Sequence, residues 1–132
     1  MLKLNGYEII LASGSPRRKA FLEKLHIPFK VKVYPSDESY PSSLKGIEIT
    51  EYIVAKKSEP FKEKILAKQI IIAADTLVCC DNQYLGKPKD VEHAKQMLMF
   101  LSGKSHQVIT SVGFLTNKKF ELISEITNVE FR

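Results

Sequence analysis

The sequence has 132 residues, one domain's worth of chain with room for a real core. Its 44% hydrophobic and 27% charged residues fit a globular protein; no apolar run reaches the roughly 18 residues of a membrane span, no signal peptide is expected, and cytoplasm is the expected location. The net charge of +5 lies in the first 68 residues, which carry 13 Lys and Arg against 8 Asp and Glu, so the excess is either a solvated basic face or a footprint for an anionic partner, a nucleotide or a nucleic acid.

Tyr7 to Ser13 reads as a strand and Pro16 to Leu25 as a helix, with Ser13-Gly14-Ser15 between them. Proline suits the first helical position, where an N–H has no partner, and the free N–H groups and dipole of that first turn suit an anion. Phe29 to Tyr34 alternates apolar and basic residues, the pattern of a half-exposed strand. Pro35 to Gly46 is the longest loop and carries Asp37 and Glu38. A second helix begins near Ile49 and passes Lys57, and Pro60 kinks or restarts it.

Gln69 to Cys80 is the most apolar strand, and Ile70-Ile71-Ile72-Ala73-Ala74 fits a strand covered on both faces. Adjacent Cys79 and Cys80 point to opposite faces there and are not expected to bridge. Asp81-Asn82 turns the chain into a short return strand at Tyr84-Leu85. Asp90 caps a third helix whose stripe of Val91, Ala94, Met97, Leu98 and Leu101 reads as core packing. Gln107 to Thr116 and Phe120 to Phe131 form a hairpin around Asn117-Lys118-Lys119. The order β-α-β-α-β-β-α-β-β specifies an α/β fold, a mixed sheet flanked by helices, in one domain spanning residues 1–132.

The residues with chemical potential cluster by type. Ser13, Ser15, Arg17 and Arg18 surround the first helix terminus, and consecutive arginines about 100° apart converge on an anion only if it lies off that terminus. Asp75 interrupts the most apolar strand, where a carboxylate must be paired, hydrogen-bonded or metal-bound, or else sit at an exposed strand end or in a local turn. Of Lys56 and Lys57 only one can face a given site. Lys87 sits in the tight Gly86-Lys87-Pro88 loop. These are the parts of a metal-assisted phosphoanhydride hydrolase: an anion grip, lysines, and the acids Asp75 and Glu38 for a divalent cation. No Walker, Rossmann or zinc-ligand spacing is present.

Five ordered motifs carry a resemblance along essentially the whole chain. Leu11-Ala12-Ser13-Gly14-Ser15-Pro16-Arg17-Arg18 with Phe21-Leu22, Ala73-Ala74-Asp75-Thr76, and Leu85-Gly86-Lys87-Pro88-Lys89-Asp90 are three of them. Leu101-Ser102-Gly103-Lys104-Ser105-His106-Gln107-Val108 and Thr127-Asn128-Val129-Glu130-Phe131-Arg132 complete the set. Together they resemble the signature of the Maf family, also called septum formation proteins. The resemblance implies a Maf/inosine-triphosphatase-like fold. It also implies a house-cleaning nucleoside triphosphate pyrophosphatase that uses Mg²⁺ or Mn²⁺ to give a monophosphate and pyrophosphate.

By the same resemblance, Ser13, Arg17, Arg18, Lys57 and Lys87 would hold the phosphates. Asp75 would be the catalytic carboxylate, as metal ligand or base, and Glu38 a second metal or water ligand. Ser-Pro-Arg-Arg, Ala-Asp-Thr and Leu-Ser-Gly are similar to the subgroup acting on dTTP, UTP and related pyrimidine nucleotides. Family members continue past Arg132, so the C-terminal part of the family domain is expected to be missing here. The expected partner is a small nucleotide, without membrane or nucleic acid, and family members often form homodimers. The competing reading is a non-catalytic nucleotide- or nucleic-acid-binding regulator of cell division.

Overall fold

The computed structural model describes residues 6–35, 39–81, 83–85 and 90–130. The elements run β1 (Glu8–Leu11), α1 (Pro16–Lys24), β2 (Lys30–Val31), α2 (Ile47–Ser58), a 3-10 turn (Glu59–Phe61), β3 (Gln69–Cys80), β4 (Gln83–Leu85), α3 (Val91–Leu101), β5 (Ser105–Leu115) and β6 (Phe120–Glu130). They form one mixed sheet in the order β2-β1-β3-β5-β6, with β4 also on β3. β1 is parallel to β2 and β3, whereas β4, β5 and β6 pair antiparallel. The α/β class and element order follow the sequence pattern.

β3 is the axis of the sheet, and its two edges differ. On one edge β5 follows it from Ile71 to Cys79. On the other, β1 covers only Gln69 to Ile72 and β4 only Val78 to Cys80. Among the described residues, Ala73 to Leu77 therefore face a gap in the sheet. β1 ends there because the chain leaves at Ser13-Gly14-Ser15 to start α1; Ser15 caps the helix and Pro16 occupies its first position. The Ala12 amide still reaches the Ile72 carbonyl at 2.8 Å, and beyond it the edge is open.

Side chains of β3 alternate between two faces. Ile71, Ala73 and Leu77 pack beneath α2, in two buried clusters with Val54 and Phe61 and with Ile49 and Ile53. The hydroxyl of Tyr84 on β4 accepts from the Gly46 amide at the start of α2, at 3.1 Å. On the other face, Ile72, Ala74 and Thr76 line a trough of about 630 Å³ beside α1.

Three expectations change. The strand expected over Phe29 to Tyr34 contracts to Lys30–Val31, because β1 offers only its last residues as partners before turning away. β3 is fully covered on the α2 face alone; its other face is the half-open trough. The apolar stripe of α3 is not core among the described residues: Leu101 is buried, but Val91 and Leu98 are exposed. Periodicity defined which face is apolar and did not supply anything to cover it. Cys79 and Cys80 are free, as expected. No helix among the described residues is long and apolar enough to cross a membrane.

Candidate active site at the gap in the sheet

The gap beside β3 lies among Ser13, Arg18, Lys57 and Asp75, part of the set that the sequence singles out. Carbonyls two residues apart leave a strand on the same edge. The Ala74 carbonyl thus points where Ile72's does, into space that β1 has vacated. Lys57 of α2 fills that role, its Nζ donating to the Ala74 oxygen at 3.0 Å. The same Nζ lies 3.7 Å from Asp75 Oδ1, with both side chains more than four-fifths buried. A carboxylate in the most apolar strand is thus tolerated because it turns toward α2, meets an ammonium and sits at the break in the ladder.

Of the lysine pair, Lys57 is the inward one. Lys56 lies toward the Ser39 carbonyl and over the Tyr52 ring. Their position in the last turn of α2 also suits the negative end of the helix dipole.

Across the gap stands the start of α1. Ser13 is buried, and its Oγ accepts from the Ser15 amide at 3.2 Å and from Arg18 Nη1 at 3.4 Å. Arg18 Nη2 donates to Thr76 Oγ1 at 3.2 Å, and Thr76 in turn lies 3.4 Å from Thr110 Oγ1. Arg18 thereby spans from the turn after β1 to the far face of β3, held at both ends of its planar fork. The alternation of Thr76 with Asp75 along β3 is the sequence signal that places it on the opposite face.

Ser13, Ser15, Arg18 and Lys57 line one pocket of about 400 Å³, walled by Tyr34 and Phe61. The two rings meet edge to face at 4.9 Å between centroids. Lys32 and Lys64 both lie over the Tyr34 ring, at 5.3 and 4.5 Å, and add positive charge at the pocket's rim.

Arg17 is not brought into this pocket. It is exposed and lines the apolar trough with Phe21, on the other side of α1's first turn. Among the described residues Arg18 alone lines both spaces, in keeping with the 100° step between neighbours on a helix. Glu38 and Lys87 lie outside the described residues.

Asp75 is the carboxylate at the gap among the described residues, and these hold no cluster of three or more metal-ligating side chains. Mg²⁺ takes one or two protein carboxylates and completes its shell with water and substrate oxygens. The donor set therefore fits a cation held jointly with a phosphate-bearing ligand.

The sequence model of the family described as "Maf-like protein" matches residues 8–132. The dTTP/UTP pyrophosphatase of Flavobacterium johnsoniae is 42% identical over 130 residues, covering 98% of this chain and 67% of the relative. The dTTP/UTP pyrophosphatase of Christiangramia forsetii is 45% identical over 128 residues, covering 97% and 65%. The chain thus spans about two thirds of the length of the curated relatives it matches.

Among solved structures, the Staphylococcus aureus Ham1 protein superposes with a TM-score of 0.64 at 14% identity, over 93% of this chain and 71% of that one. A nucleoside-triphosphatase (dITP/XTP pyrophosphatase) from Mycobacterium abscessus gives 0.57 at 16% identity, over 92% and 72%. The architecture is shared with these proteins, and by its sequence the chain belongs to the Maf family.

Proposed function

We propose that the chain carries the phosphate-binding and catalytic part of a nucleoside triphosphate pyrophosphatase that uses dTTP, UTP or related pyrimidine nucleotides. The observation that carries this reading is the largely buried Lys57–Asp75 pair at the sheet gap, whose lysine lines one pocket with Ser13 and Arg18. The names of the relatives supply the substrate class. A non-catalytic binder of nucleotide or nucleic acid gives no account of a carboxylate held in that position.

In this reading the triphosphate lies along the pocket. The Ser15-capped terminus of α1 and the Arg18 guanidinium take the phosphate oxygens, and Lys57 neutralises charge that builds up during cleavage. Lys87 and Glu38 belong to the proposed set through the family resemblance, Lys87 toward phosphate and Glu38 toward metal or water, whereas Arg17, which lines the trough, is left out of it. Water attacks the α-phosphorus, a new P–O bond forms, the bond to the α–β bridging oxygen breaks, and pyrophosphate departs with the electron pair. Asp75 holds the attacking water, accepts its proton, or ligates the cation. A bound Mg²⁺ or Mn²⁺ supplies charge neutralisation on the phosphates.

The product distinguishes this chemistry. With dTTP or UTP and Mg²⁺, phosphate detection should respond only after inorganic pyrophosphatase is added. Orthophosphate without that addition would contradict cleavage at the α–β bond. Salt-dependent binding of DNA or RNA with no triphosphate turnover would favour the non-catalytic reading instead.

A further inference from the structure

A second set of buried polar groups lies one strand away from Asp75. Thr50 on α2 and Ser111 on β5 are both fully buried, with their hydroxyl oxygens 2.7 Å apart. Ser111 lies 2.7 Å from Ser124 Oγ on β6, and Ser124 donates to Glu51 Oε2 at 2.8 Å. The Thr50 hydroxyl also lies 3.1 Å from the Ile47 carbonyl of its own helix. Three hydroxyl protons are shared among four contacts: Thr50 donates to the Ile47 carbonyl or to Ser111, and Ser124 donates to the Glu51 carboxylate.

The row is in register with the site. Asp75, Ser111 and Ser124 are direct cross-strand neighbours on β3, β5 and β6. Thr50, Val54 and Lys57 lie on one face of α2, at spacings of four and three residues. Between the two polar contacts, Val54 sits over Gly113 of β5, where a Cβ would come within 2.6 Å of Val54 Cγ1. The helix therefore lies unusually close to the sheet.

Apolar packing is non-directional and leaves a helix free to turn or slide by fractions of a residue. A buried hydroxyl pair is directional, and breaking one half strands the other in a dry environment.

We infer that the Thr50–Ser111 pair, with Val54 over Gly113, is the positioning device that sets Lys57 against Asp75. It fixes the rotation and height of α2 two turns before the lysine, and Ser124 and Glu51 hold Ser111 from the outer side. This assignment rests on the pyrophosphatase reading for its consequence, since the atoms it positions are those proposed to act on the phosphates.

The test is a steady-state comparison of Thr50→Val, Thr50→Ser and Ser111→Ala in the full chain with dTTP and UTP. Thr50→Val, nearly isosteric, should lower kcat about tenfold with KM within about twofold, because a small misplacement of a positioned group acts on the reaction step. Thr50→Ser should restore kcat, and the double variant Thr50→Val/Ser111→Ala should be no worse than either single change. A kcat for Thr50→Val within twofold of the parent, or Thr50→Ser as defective as Thr50→Val, would overturn the inference.

If Thr50→Val does not fold, Ser124→Ala at the outer end of the row takes its place. A kcat lowered about threefold at constant KM supports the assignment, and an unchanged kcat refutes it. A parent chain that releases no pyrophosphate would overturn the pyrophosphatase reading instead. The inference is then judged on a crystal structure of Thr50→Val: Lys57 Nζ beyond about 4 Å of Asp75 Oδ1 supports it, and an unmoved pair refutes it.

Discussion

β3 presents two different environments within a few residues. Toward α2, Ala73, Asp75 and Leu77 lie in a closed space where even polar groups are buried and paired. Toward α1, Ala74 and Thr76 open onto the apolar trough, rimmed by Phe21 and Ile123, which are 60% and 62% exposed. The closed face restricts Lys57 and Asp75 to one arrangement, whereas the open face restricts little. Arg18 passes between the two, bonded to Ser13 after β1 and to Thr76 on the open face. Chemistry that needs fixed geometry belongs on the closed side, and substitutions should separate the faces accordingly.

The largest contrast is expected between neighbouring basic residues. Lys57→Met should lower turnover at least about a hundredfold, and Arg18→Ala about tenfold or more, as for lost charge stabilisation at a reacting phosphate. Arg17→Ala, on the trough side, should stay within about threefold. Rates measured side by side with dTTP check this; an Arg17 effect equal to that of Arg18 would place both arginines on the phosphates and erase the contrast.

Stability should follow the same division. Ile71→Ala, at 1% exposure on the closed face, should cost about 2–5 kcal/mol in urea unfolding. Ile123→Ala on the open face should stay within about 0.5 kcal/mol. Equal costs would mean that the trough is packed as tightly as the α2 face.

Gly113→Ala sharpens the account from the helix side. The added Cβ would meet Val54 at 2.6 Å and the Phe120 ring at 2.8 Å. Overpacking of this kind costs about 1–3 kcal/mol, and the melting temperature should fall. The smallest effect is expected at the rim. Lys64→Ala removes one charge over Tyr34 and should lower kcat/KM about twofold at low salt, a difference that vanishes as ionic strength rises.

Much of this is legible in the sequence alone. Local signals did the work where the physics is local: Ser15-Pro16 for the helix start, the Ile70-Ile71-Ile72 run for β3, Asp90 for the cap of α3. Asp75 stood out because a carboxylate in an apolar strand requires a reason. Legibility ended where the answer depends on residues far apart in the chain. Arg18 and Thr76 are 58 positions apart, Thr50 and Ser111 are 61, and nothing in either neighbourhood announces its partner.

The choice between Arg17 and Arg18, or between Lys56 and Lys57, turns on a helix rotation that neighbouring residues share equally. The stripe of α3 shows the same boundary from the other side. Val91 and Leu98 have the period of a core helix, yet periodicity carries no information about what is opposite them.

The central claim is that Asp75 and Lys57 form the reacting end of the pocket and that the α1 terminus holds the substrate. The most direct measurement pairs nucleotide binding with pyrophosphate release for the parent and Asp75→Asn, using dTTP and Mg²⁺. The account predicts that Asp75→Asn still binds dTTP, with affinity weakened mainly through the cation, while pyrophosphate release falls by about a thousandfold or more. An Asp75→Asn variant that turns over at the parent rate would contradict it.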